Sequence, residues 1–315
     1  MTPTLAFESP IFRFYAATIV GVLVLAGVVL CTLRFGCRKN VDHAWNSLRG
    51  WLLMVPLVLG AIYLGRTAAI VFFTIIALRG FKEFARATGL YRDWWMTSVV
   101  YVGVIVTGVV TLIDDPNTGV PGWFGLFMAL PVWTIAALLA MPILLNRVQG
   151  QLKLIALSIV GFVYFGWMFG HVAFLANSTH AYAYLFYLIL AVELNDVAAF
   201  TFGKLFGRHA LRSNISPKKT WEGALGALGV SMALPWTLRF TFPHFTPLDC
   251  ILTGLIVGIG GQLGDLAISV IKRDIGIKDM GAAIPGHGGI LDRIDSLIYV
   301  APLFLHVVRY SHDLR

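Results

Sequence analysis

Apolar runs recur along almost the whole of this 315-residue chain, and they leave it few ways to fold. A helix needs roughly 17–25 predominantly apolar residues to cross a bilayer. Such windows lie near 14–33, 96–113, 123–145, 154–176, 182–203, 222–240, 249–270 and 294–310. The stretch 51–79 is apolar too, but Gly65 and Arg66 interrupt it. It reads as a tight hairpin, 51–65 and 67–79, whose second helix continues amphipathically toward Arg86. The sequence therefore predicts an all-α, polytopic membrane protein of about ten transmembrane helices, with both termini on one side and no soluble domain. Composition agrees: 58% of residues are hydrophobic and 13% charged, against about 25% charged in an ordinary soluble domain.

Charge placement tests the count. Nineteen of the 24 Lys and Arg fall in five alternate loops, 34–50, 79–95, 146–153, 204–220 and 271–293. The positive-inside rule puts those loops in the cytoplasm and both termini outside. The net charge of +8 is thus explained by topology and does not imply nucleic acid. Trp51, Trp94, Trp95, Trp123 and Trp221 sit near span ends, as interfacial aromatics do. Cys31, Cys37 and Cys250 show neither metal spacing nor a disulfide framework. Arg13 precedes a long apolar run without a small-residue cleavage site, so that run reads as a retained span. Two regions follow: residues 1–180 with six spans and few polar groups inside them, and residues 181–315 with four spans, the cytoplasmic loops 204–220 and 271–293, and nearly all the candidate chemistry.

Three acids lie within predicted spans: Glu193, Asp196 and Asp265. A carboxylate at mid-bilayer costs roughly 2.5–3.5 kcal/mol on insertion scales, which makes such residues functional candidates. At about 1.5 Å per residue, Asp196 and Asp265 lie roughly 8–11 Å inside the cytoplasmic ends of their helices. Asp292 and Asp295 open the last span at the same face, on one side of the helix. Four carboxylates from three helices can therefore converge, an oxygen-rich set suited to Mg²⁺ and substrate phosphates. The bland alternative is that they pair with Lys or Arg and hold helices together.

Two loops supply the opposite charge. Ser216-Pro217-Lys218-Lys219-Thr220-Trp221-Glu222-Gly223 leads into the eighth predicted helix. Thr220 suits the N-cap, and two lysines beside a helix N-terminus favour anions. Residues 269–295 place Lys272, Arg273, Lys278 and Arg293 beside Asp274, Asp279, Asp292 and Asp295, with His287 between glycines. Glycines there let the backbone approach a ligand closely. GIGGQLGD at 258–265 does not fit a dinucleotide fingerprint. Gly254, Gly258, Gly260 and Gly264 instead have the small-residue spacing of close helix packing.

The order Ser269, Lys272-Arg273, Lys278-Asp279, Gly281, Pro285, His287-Gly288-Gly289, Asp292-Arg293 and Asp295 resembles the motif of the phosphatidate cytidylyltransferase (CDP-diglyceride synthase) family. Ser216-Pro217-Lys218-Lys219-Thr220 with Glu222-Gly223 resembles the same family. So does Asn195-Asp196 leading to Gly203-Lys204 and Phe206-Gly207. The resemblance is strong over roughly 190–296 and general before that. Where family members often carry Asp-Thr-Gly-Ala-Tyr, this chain has Asp196-Val197-Ala198-Ala199-Phe200, the mark of a divergent subgroup.

The resemblance implies transfer of the cytidylyl group of CTP to phosphatidic acid at the cytoplasmic membrane face, giving CDP-diacylglycerol and pyrophosphate. It implies catalytic roles for Asp265, Asp292, Lys272, Arg273, Lys278 and His287. It implies substrate binding by Ser216, Lys218, Lys219, Thr220, Asn195, Asp196 and Arg293. Asp265 and Asp292 would hold Mg²⁺, with Asp196 and Asp295 as further ligands and room for a second cation. The partners would be CTP, phosphatidic acid and the lipid bilayer, with no nucleic acid and the choice between monomer and homodimer open. The expected location is a bacterial inner (plasma) membrane. The rival class is an ion- or proton-coupled transporter using Glu193, Asp196 and Asp265, which would spread its acids across the bilayer depth rather than gather them at one face.

Overall fold

A computed structural model describes residues 1–37, 40–281 and 288–313. A short helix α1 (Pro3–Glu8) leads into α2 (Pro10–Cys31), α3 (Asp42–Leu64), α4 (Arg66–Thr88), α5 (Trp94–Leu112) and α6 (Phe124–Leu144). The next span is broken: α7 (Gln151–Gly161) passes through a π-helical segment, Phe162–Met168, into the short α8 (Gly170–Phe174). Four long elements follow, α9 (Ala181–Phe206), α10 (Trp221–Thr237), α11 (Pro247–Asp274) and α12 (Leu291–Val308). In hydrocarbon a segment must satisfy its own backbone groups, which is why runs of this composition become helices.

The chain is an all-α polytopic membrane protein. Among the described residues, seven helices are long and apolar enough to cross a membrane: Pro10–Gly36, Ala44–Leu64, Trp94–Leu112, Phe124–Leu144, Gln151–Asn177, Ala181–Phe206 and Pro247–Asp274. The remaining predicted spans correspond to α4, α10 and α12. Charge lowers the hydropathy of α4 and α12, and α10 is only 17 residues long. The 51–79 interruption is a real break, because Gly65 ends α3 and begins α4 with φ of 108°. Both helices run further toward the basic loops than hydropathy suggests. One element departs from an all-helical chain: loop 204–220 folds into an antiparallel hairpin of β1 (Ala210–Arg212) and β2 (Ser216–Thr220).

Helix α11 is the packing axis of the C-terminal half, and its glycines face three neighbours. A side chain at Gly254 or Gly258 would collide with Met232 or Leu228 of α10, one at Gly261 with Asn195 of α9, and one at Gly264 with Asp295 and Ser296 of α12. This is the close packing expected from their spacing. The N-terminal half packs aromatic rings instead: Phe81 and Phe84 of α4 lie against Phe165 of the π-helical segment.

At the end opposite the basic loops, Arg66 donates to Asn177 Oδ1 (2.5 Å) and to the Leu112 carbonyl (2.7 Å), and pairs with Asp114. In the turn before α11, His244 stacks on His180 at 3.9 Å and lies 2.8 Å from the Tyr184 hydroxyl. Burial, then the His180 and His312 rings, hold its imidazole down at about 4 against the opposing pull of Asp249. It is therefore neutral at neutral pH.

Candidate functional site

The chemistry gathers at the basic end, where α9, α11 and α12 meet the hairpin. Thr220 closes β2 and caps α10, its Oγ1 accepting the Gly223 N–H at 3.1 Å. Glu222, next in α10, accepts the Arg208 and His209 N–H groups and bonds the His209 ring at 2.6 Å. Arg273 donates to the Ile215 carbonyl at 3.1 Å. These contacts pin the hairpin over the end of α11 and fix the alternation of β2. Lys218 points into solvent, while Lys219 turns inward to Asp265, with Nζ 2.7 Å from Oδ2.

A buried polar relay runs behind that pair. Lys219 also donates to Gln262 Oε1 at 3.3 Å. Gln262 donates to Asn195 Oδ1 at 2.9 Å, and Asn195 donates to Ser231 Oγ at 2.9 Å. Asn195 is fully buried. It joins α9, α10 and α11 through a satisfied network, the form in which buried amides are tolerated. Ser269 donates to the other oxygen of Asp265 at 3.1 Å.

The second pair is deeper. Lys272 Nζ lies 2.5 Å from Asp292 Oδ1, with both side chains largely buried. Asp292 Oδ2 accepts the Gly289 N–H at 3.1 Å. Asp295 is buried beside Gly264 and bonds its own helix at the Ser296 N–H, 2.8 Å. Asp196 approaches the Ser296 hydroxyl at 3.4 Å. Asp196, Asp265 and Asp295 lie within Coulombic reach of one another, as Glu193 does of Asp196 and Arg293. Arg293, Lys278 and Asp279 are exposed. Ser216 is half-buried at the start of β2. His287 and Pro285 lie outside the described residues.

Among the described residues, no group of three or more His, Cys, Asp or Glu side chains is arranged to hold a metal. The donor chemistry nevertheless suits a hard cation. Oxygen ligands dominate, and Lys219 and Lys272 form ion pairs with the very carboxylates singled out as metal ligands. A divalent ion carried in with phosphates would compete with those two ammonium groups.

One participant escapes a sequence reading. Glu83 of α4 reaches the start of α12, with Oε1 accepting the Ile290 N–H at 3.1 Å and Oε2 the Leu291 N–H at 2.9 Å. Set among Arg79, Lys82 and Arg86, it resembles an ordinary surface charge of an amphipathic helix. The available signal is that it is the sole acid between Asp42 and Asp93.

Residues 46–311 match the model of the cytidylyltransferase family. Three similar proteins illustrate the range of relatives. The uncharacterized protein YnbB of Escherichia coli (strain K12) is 29% identical over 302 residues, 93% of this chain and 97% of that protein. The phosphatidate cytidylyltransferase of Staphylococcus haemolyticus (strain JCSC1435) is 32% identical over 255 residues, 80% of this chain and 92% of that protein. That of Staphylococcus aureus (strain COL) is 42% identical over 160 residues, 50% of this chain and 60% of that protein.

Proposed function

This chain belongs to the cytidylyltransferase family, and from that premise we propose that it transfers the cytidylyl group of CTP to phosphatidic acid at the cytoplasmic face of a bacterial inner membrane, releasing pyrophosphate and leaving CDP-diacylglycerol in the bilayer. It is an enzyme of the phosphatidate cytidylyltransferase kind. The observation that carries the reading is the convergence of two Lys–Asp pairs, Lys219–Asp265 and Lys272–Asp292, from β2, α11 and α12 at the basic end of the bundle. A water-soluble nucleoside triphosphate and a membrane-anchored phosphate could meet there.

In the proposed reaction, a phosphate oxygen of phosphatidic acid forms a bond to the α-phosphorus of CTP, and the bond from that phosphorus to the β-phosphate oxygen breaks. A phosphate monoester has a second pKa near 6, so the attacking group is largely dianionic at neutral pH and needs no strong base. Positioning and charge neutralisation carry such reactions. Lys219 and Lys272 are set to exchange their carboxylate partners for phosphate oxygens. Lys218, Lys278 and Arg293, exposed around them, and Arg273, beside the hairpin, supply further positive charge. Asp265 and Asp292 would hold Mg²⁺, with Asp196 and Asp295 as additional ligands. When bound, the ion would neutralise charge building on the phosphates.

The test is incorporation of label from CTP into a solvent-extractable lipid by purified protein, with phosphatidic acid or diacylglycerol as acceptor, with and without Mg²⁺. Label should enter lipid only with phosphatidic acid and Mg²⁺. Failure to label lipid at any Mg²⁺ concentration would overturn the proposal.

A further inference from the structure

The first N–H groups of a helix have no partners within it, and Ile290, the N-cap of α12, provides no side-chain cap. Glu83 supplies one from another helix and spends both its carboxylate oxygens on Ile290 and Leu291. The next residue is Asp292, which bonds the Gly289 N–H and Lys272. Glycine packing shows how closely Glu83 is held. A Cβ on Gly281 would have Glu83 atoms as its three nearest neighbours, the first at 2.7 Å, and one on Gly289 would come within 2.5 Å of Glu83 Oε2. Neither glycine lies in the left-handed region. At both positions φ permits a side chain, and the Glu83 carboxylate is the principal obstacle at Gly281, whereas at Gly289 the Gly281 backbone nitrogen also stands within 3.0 Å.

We propose that Glu83 is a positioning residue: it clamps the first turn of α12 and so sets where Asp292 meets Lys272. It acts through two backbone amides rather than on substrate. A negative charge at a helix N-terminus is favourable, and Asp292 is rigidly coupled to the amides Glu83 holds. Misplacing a catalytic group by about 1 Å can cost on the order of a hundredfold in rate. Its effect on turnover rests on the function proposed above; the clamp itself does not.

The test compares Glu83→Ala, Glu83→Gln, Gly281→Ala and the double variant Glu83→Ala/Gly281→Ala in detergent. Three readouts are taken: hydrogen exchange of the segment 288–296, thermal stability, and steady-state CTP turnover. Glu83→Ala should speed exchange at the start of α12 by about tenfold or more, a local opening rather than global unfolding. It should lower kcat by about tenfold or more with little change in KM for CTP, as expected when alignment rather than binding is lost. Gly281→Ala should do the same by pushing the carboxylate aside. The double variant should be no worse than Glu83→Ala, because residues in contact are non-additive. Glu83→Gln, with one acceptor left and an amide NH₂ facing a backbone donor, should fall between. If Glu83→Ala does not fold, Gly281→Ala and Glu83→Gln carry the same comparison. Wild-type kcat in the variants, additive effects in the double variant, or lost turnover with unchanged exchange would each overturn the proposal. If the wild-type protein makes no CTP-dependent lipid, the proposed function fails, while exchange and stability still decide the clamp.

Discussion

Asp292 and Asp265 carry the same charge and both meet a lysine, but they stand in different surroundings. The Asp292 and Lys272 side chains keep 7% and 11% of their exposure, whereas those of Asp265 and Lys219 keep 33% and 18%. Removing one partner of a buried pair strands the other, at a cost of about 3–5 kcal/mol. A partly exposed pair such as Lys219–Asp265 should lose less, toward the roughly 1 kcal/mol or less of a fully exposed pair. Asp292→Asn should therefore lose thermal stability sharply, and Lys272→Met/Asp292→Asn should recover most of it without recovering activity. Asp265→Asn should stay folded and lose turnover. Detergent melting curves and CTP turnover on the same preparations check both; an Asp292→Asn protein as stable as wild type would remove the buried pair from the account. Sequence shows that both acids are placed near one face. It does not show which faces water and which faces a lysine, because that depends on how α11 crosses α12. Glu83 is obscured for a related reason: its partners are backbone amides more than 200 residues away, and amides leave no trace in side-chain chemistry.

At the scale of elements, hydropathy locates every long helix to within a few residues, except where polar residues extend one. The hairpin is missed because strands of three and five residues give too short an alternation to read, and four of the five residues of β2 are Ser, Pro or Lys. The break at Phe162–Met168 is missed because a π-turn keeps the hydropathy of the helix it interrupts. The glycine spacing of α11 is legible and makes a paired prediction. A Cβ at Gly264 would lie 2.6 Å from the Asp295 carbonyl oxygen and 2.8 Å from Ser296 Cα. Backbone cannot yield alone, so Gly264→Ala should force α11 and α12 apart and cost about 1–3 kcal/mol. A Cβ at Gly229 of α10 meets nothing within 4 Å. Gly229→Ala should leave activity unchanged and be neutral to stabilising by about 1 kcal/mol. Equal melting temperatures for the two variants would refute the packing role of Gly264.

For the whole molecule, the alternating basic loops predict that both termini share one side of the membrane and that the hairpin lies on the other. Ser213 and Asn117 are both exposed, one between β1 and β2 and the other in the turn after α5. With Cys31, Cys37 and Cys250 replaced, a cysteine at Ser213 should react with an impermeant reagent only from the cytoplasmic side. One at Asn117 should react only from the opposite side. Labelling of both from one side would overturn the orientation and the span count together.

The break between α3 and α4 has a consequence for how the protein is made. Two helices of 23 residues are joined through Gly65 alone, and adjacent Cα atoms are only about 3.8 Å apart. So short a link suits entry into the bilayer as a helical hairpin with Arg66 at its tip. The carbonyl of Leu112 and the amide of Asn177 that receive this guanidinium are synthesised later. The Leu112 carbonyl and Asp114 emerge first and Asn177 well after them, so the full set of partners around this guanidinium is complete only once residue 177 has been made.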